Sequence, residues 1–76
     1  MKEGMKLLRK MFTLYGEDNF YAARMFTCNG KLIDVTVQGN INKPLEKKIN
    51  NSSQWEKDMN SKTLTYRYGK MVIVLV

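Results

Sequence analysis

Asn29-Gly30, set between FYAARMFTC and KLIDVTVQ, constrains this chain more than any other dipeptide in it. Asn-Gly between two runs of strand formers is the strongest short-range hairpin signal, so residues 20–38 are expected to form a hairpin. Its register follows from which side chains would share a face. A two-residue turn puts Phe26, Arg24 and Ala22 opposite Ile33, Val35 and Val37, with a charge in the middle of an apolar row. A three-residue loop, Cys28-Asn29-Gly30, with Gly30 in the left-handed position of a bulge, shifts the pairing by one. Met25, Ala23 and Tyr21 then oppose Ile33, Val35 and Val37, and Arg24 meets Asp34 as a cross-strand ion pair. That arrangement is the expected one. It leaves Phe20, Phe26 and Leu32 on the second face, where a helix is expected to cover them.

Residues 2–15 divide cleanly on a helical wheel. Met5, Leu7, Leu8, Met11, Phe12, Leu14 and Tyr15 fill one half, and Lys2, Glu3, Lys6, Arg9, Lys10 and Thr13 fill the other. Gly16 follows directly and supplies a C-terminal stop, so a helix over 2–15 is expected. A strand over residues 10–15 is the rival reading, because Phe12, Thr13 and Tyr15 also suit strands.

GNINKP, beginning at Gly39, reads as a loop. Pro44 suits a first helical turn, and Leu45 and Ile49 lie one turn apart with Lys47 and Lys48 facing away. Ser53 followed by Glu56 makes a capping-box pattern, and Trp55 and Met59 repeat the one-turn apolar spacing. A broken helix, or two short ones, is therefore expected across 44–60.

The last stretch, KTLTYRYGKMVIVLV, reads as a second hairpin over 62–76 turning at Gly69-Lys70. Tyr68, Tyr66 and Leu64 oppose Met71, Ile73 and Leu75, while Arg67, Thr65 and Thr63 oppose Val72, Val74 and Val76. A strand as uniformly apolar as MVIVLV belongs in the middle of a sheet covered on both faces, or at an edge that pairs with a second copy. The N-terminal helix and the first hairpin are its expected cover and neighbour. The sum is an α+β fold in one domain, 1–76, of α-β-β-α-β-β order, with a four-stranded, mostly antiparallel sheet and helices on one face.

Composition bounds the function. Seventy-six residues suffice for one small core. The 13 Lys and Arg against 7 Asp and Glu leave a net charge of +6, which steers the chain toward anionic partners. There is no histidine, so the commonest general base and metal ligand is absent, and no Gly-rich phosphate loop or nucleophile elbow is present. Glu17-Asp18 and Glu56-x-Asp58 do not converge as a carboxylate pair. A single cysteine, Cys28, allows neither an internal disulfide nor a cysteine metal site, and a reducing cytoplasm is the expected setting. No cofactor is implied. The longest apolar run is too short to span a bilayer, and membrane binding would need the apolar half of the first helix twice, for lipid and for the sheet. Lys outnumbers Arg and Asn is frequent, a bias shared with AT-rich genomes such as those of many phages or low-GC bacteria.

Two sets of cations are candidates for binding. Lys2, Lys6, Arg9 and Lys10 share the polar face of the first helix, and Lys62, Arg67 and Lys70 occupy a C-terminal stretch without a single acid. The reading is a non-enzymatic basic module that contacts nucleic acid mainly through phosphates. The alternative is a small phage-type inhibitor or adaptor that docks on an acidic host protein. Further alternatives are a homodimer joined along the C-terminal strand, and a histidine-free ribonuclease built on Tyr66, Arg67, Tyr68 and Lys70.

Overall fold

The computed structural model describes residues 2–52 and 54–76. Helix α1 spans Lys2–Tyr15 and is followed by a single 3-10 turn, Glu17–Asn19. Strands β1 (Phe20–Cys28) and β2 (Lys31–Gly39) form the first hairpin. Helix α2 (Lys43–Asn50) leads to three strands, β3 (Glu56–Met59), β4 (Leu64–Tyr68) and β5 (Met71–Leu75). The result is a small α+β domain with a five-stranded mixed sheet in the order β1-β2-β5-β4-β3. β5 pairs antiparallel with β4 and parallel with β2. The sheet therefore has one strand more than the two hairpins supply.

Helix α1 forms over the full expected length because its apolar half has a sheet to bury against. Met11 and Tyr15 are buried, and Gly16, at φ +85°, ends the helix. Asn19 donates from Nδ2 to the Tyr15 carbonyl oxygen at 2.6 Å and accepts from Asn42 Nδ2 at 3.2 Å. Asn42 is in turn the N-cap of α2, accepting from the Leu45 amide. Two asparagines thus tie the C-terminus of one helix to the N-terminus of the other.

Both helices lie on one face of the sheet. Met11, Tyr15, Leu45 and Ile49 from the helices pack with Leu32, Val35, Val37, Leu64, Tyr66, Met71, Ile73 and Leu75 from β2, β4 and β5. The second hairpin has the expected register, with Tyr66 opposite Ile73 and Arg67 opposite Val72. Of the two places considered for the last strand, β5 takes the central one: it is paired on both edges and leaves no edge of its own open to a second copy. The unpaired edges of this sheet belong to β1 and β3.

The first hairpin differs from expectation. Asn29 and Gly30 both adopt positive φ, 53° and 77°, as a two-residue type I′ turn requires. Cys28 is not in the loop; it pairs with Lys31, and Thr27 pairs with Leu32. The bulge falls beyond Leu32, after which Phe26 faces Asp34, Met25 faces Val35, and Ala23 faces Val37. Ile33 is the extra residue and is 49% exposed, while Leu32 enters the core. Arg24 lies opposite Thr36 rather than Asp34. One bulge lets the favoured turn and an uncharged core row coexist, which a bulge-free ladder could not do. A second irregularity near Tyr21 returns Phe20 to the helix side, where its ring lies 6.1 Å from Phe12. Phe26 remains on the face without helices, half exposed.

The segment 54–60 is not helical. Ser53 of the expected capping box lies outside the described residues, and Glu56–Met59 form β3, antiparallel to β4. Four residues gain little as a helix, whereas along β4 they satisfy a row of backbone groups that would otherwise form the sheet edge. All four β3 residues are exposed and three are charged, which is how an edge strand avoids further pairing. The turn after β3 is set by Asn60, whose Oδ1 accepts from the amides of Lys62 and Thr63 at 2.9 and 2.8 Å.

Candidate functional site

The seven candidate cations do not form one patch. Lys2, Lys6, Arg9 and Lys10 are exposed on α1, and none of them takes part in an ion pair among the described residues. The core side of α1 is held through the buried Gly4, Met11 and Tyr15, whereas Met5 and Leu14, expected on the buried half, are 41% and 46% exposed. The row Lys2, Lys6, Lys10 follows the i, i+4 spacing, so successive ammonium groups project from the same side about 6 Å apart along the axis.

The C-terminal cations are placed differently. Lys70, in the β4–β5 turn, reaches Glu3 of α1 with Nζ 3.0 Å from Oε1. It therefore lies beside the helix but neutralises its one acid. Arg67 projects from the face without helices, 3.1 Å from Asp34 Oδ1. That pair bridges β4 and β2 across β5, over the row where Val72 is only 4% exposed. Lys62 sits at the opposite end of β4 from Lys70, on a shallow depression shared with Ile41 and Met59. The absence of acids from residues 62–76 had no bearing on their partners, because both acids come from elsewhere in the chain.

Tyr66, Arg67, Tyr68 and Lys70 do not converge either. Tyr66 is fully buried, and its hydroxyl has no hydrogen-bond partner among the described residues. Burial pushes its pKa up from 10.0 and nearby Glu46 pushes it further; the Asn50 side chain, close to the hydroxyl but outside hydrogen-bond geometry, offsets only part of the rise. Arg67 points to the other face, and Lys70 is engaged by Glu3. Cys28 is exposed at the end of β1. Among the described residues no group of three or more acids or cysteines lies close enough to hold a metal ion, and no helix is long and apolar enough to cross a membrane.

A groove that sequence reasoning missed opens where the basic face of α1 ends. It encloses about 220 Å³ between Lys10, Leu14 and Tyr15 of α1, Ser52, Gln54 and Trp55 of the loop before β3, and Tyr68 and Met71 beside the β4–β5 turn. Its wall is an aromatic series. Trp55 meets Tyr15 edge-on, with centroids 5.8 Å apart and planes at 73°, and meets Tyr68 at 5.8 Å and 82°. Trp55 Nε1 donates to the Tyr15 hydroxyl oxygen at 2.8 Å, which fixes the indole. Tyr15 is buried, Trp55 is half-buried and Tyr68 is 37% exposed. Three aromatics separated by 40 and 13 positions leave no local pattern.

The chain matches no protein-family model, no curated protein and no solved structure.

Proposed function

We propose that this protein is a binding module that holds nucleic acid through phosphate contacts along the polar face of α1. The observation that carries the reading is the set Lys2, Lys6, Arg9 and Lys10. These four exposed cations lie on a helix anchored to the core through Met11 and Tyr15, and none has an acid partner among the described residues. A rigid row of cations at one-turn intervals can exchange condensed counterions for its own charges without ordering any backbone. Arg67 and Lys62 are not part of this interface. Lys70 contributes by occupying Glu3, which would otherwise repel phosphate.

The test exchanges Lys6, Arg9 and Lys10 for Glu together. Folding, followed by circular dichroism, should survive, because none of the three belongs to the core. Nucleic-acid binding should be lost. For the unaltered protein, log affinity should fall against log salt with a slope of about −0.9 per phosphate on duplex DNA, or about −0.7 on a single strand. A triple variant that folds and binds at full affinity would reduce this face to a solubilising surface. If the partner captured by the unaltered protein instead resists nuclease, the cations serve an acidic protein.

A further inference from the structure

We infer that the groove between Tyr15, Trp55 and Tyr68 is a subsite for one unstacked base of a single-stranded nucleic acid, a conclusion that rests on α1 holding the phosphates. Three features of the groove argue for this occupant. First, it continues the cation row. Lys2, Lys6 and Lys10 are followed at the same spacing by Leu14, and Lys10 and Leu14 both line the groove. A strand whose backbone follows the row is delivered to the aromatic wall, with Lys10 at the rim to hold the adjoining phosphate.

Second, the wall suits a planar group. Trp55 and Tyr68 stand at 82° to one another and make a corner, so a flat ring can stack on one while its edge meets the other. The hydrogen bond to Tyr15 holds the indole in place before any ligand arrives, so little side-chain ordering remains to oppose binding. Stacking of this kind tolerates every base, since each has a π-face. Third, about 220 Å³ is below the range of about 300 to 1,000 Å³ typical of pockets for larger organic ligands. The space matches one ring system at the end of a polymer held elsewhere, rather than a free small molecule held by the groove alone. Duplex nucleic acid is excluded from this subsite because its bases are stacked and paired.

Trp55 is the only tryptophan, so its fluorescence reports on the groove directly. The experiment titrates the full chain with oligothymidylate of about twelve residues and with an abasic oligomer of the same phosphate number, at one salt concentration. The base-bearing strand should quench Trp55 and bind about 5- to 150-fold more tightly than the abasic one, the equivalent of about 1–3 kcal/mol for one stacked base. Tyr68→Ala should bring the two affinities together, and Tyr68→Phe should restore the difference. Equal affinities with undisturbed Trp55 emission would overturn the base subsite and leave the phosphate interface standing. Failure of both strands to bind at low salt would overturn both. The comparison of the two strands on the unaltered protein decides the matter even if Tyr68→Ala does not fold.

Discussion

The indole nitrogen of Trp55 donates a 2.8 Å hydrogen bond to the phenolic oxygen of Tyr15, joining the end of α1 to the loop before β3 across 40 positions of sequence. This contact and the two edge-to-face ring pairs around it close one end of the helix-covered face of the sheet. Tyr15→Phe keeps the ring and removes the acceptor. The expected loss is about 0.5–1.5 kcal/mol in urea unfolding, the usual net value of one hydrogen bond. An unchanged midpoint would show that the half-buried indole finds water as readily as it finds Tyr15.

Tyr66 presents the opposite case. Its hydroxyl is buried without a partner among the described residues, so Tyr66→Phe removes a desolvated polar group and keeps the packing. The variant should be as stable as the parent or more stable by up to about 1 kcal/mol. A clear loss of stability would mean that Asn50 holds the hydroxyl.

The same residue sets a pH dependence. Burial and Glu46 raise the Tyr66 pKa in the folded chain above its ordinary 10.0. Above pH 10 the unfolded chain therefore releases this proton first, and the folded state binds more protons than the unfolded one. The slope of stability against pH is then negative. The contribution is intact below pH 10 and is lost as pH rises toward the folded pKa. The readout is the difference between parent and Tyr66→Phe, in which everything common to the two chains cancels. The parent should lose more stability than the variant above pH 10.

Two glycines should fail on replacement by alanine for different reasons. At Gly39 an added Cβ would meet the Asn19 carbonyl oxygen and lie 3.1 Å from Phe20 Cδ1, with no positive φ involved. Backbone cannot swing aside, so Gly39→Ala should cost about 1–3 kcal/mol by overpacking. At Gly30 nothing lies within 4 Å of the added Cβ, but φ is +77°. Gly30→Ala should cost about 1–2 kcal/mol from conformation alone. Chemical denaturation of both variants measures the two losses, and a stabilised Gly30→Ala would contradict the type I′ turn.

The position of the bulge is tested by a pair of isoleucines. Ile73 is fully buried, and Ile73→Ala should cost about 2–5 kcal/mol. Ile33, thrown outward as the extra residue, should tolerate the same change within about 0.5 kcal/mol. Comparable losses at both sites would return Ile33 to the core row.

Much of this architecture is legible in the sequence alone. The division of residues 2–15 into two halves specifies a helix, because side-chain direction repeats every 3.6 residues whatever the partner is; of the expected buried half Met11 and Tyr15 enter the core while Met5 and Leu14 stay exposed. Gly69-Lys70 specifies the register of the last hairpin, because both strands agree on which face is apolar. Pro44, Leu45 and Ile49 mark α2 for the same local reasons. In each case the deciding interaction lies within a few positions along the chain.

What only the tertiary structure decided is non-local. The bulge sits at Ile33 because α1 selects Leu32 as its contact, a choice invisible within the hairpin itself. Residues 56–59 become a strand because β4 offers an open edge, and a short segment with weak helical preference follows the backbone partners available to it. Arg67 and Lys70, free of acids in sequence, acquire Asp34 and Glu3 once β2 and α1 are set beside them. The Tyr15, Trp55 and Tyr68 groove belongs to the same class. Its three rings come from three elements, and they meet beside Lys10 only because α1 crosses the helix-covered face of the sheet that β4 helps to build. Periodicity encodes which way a side chain points, but which distant surface it meets is settled by the packing of the whole chain.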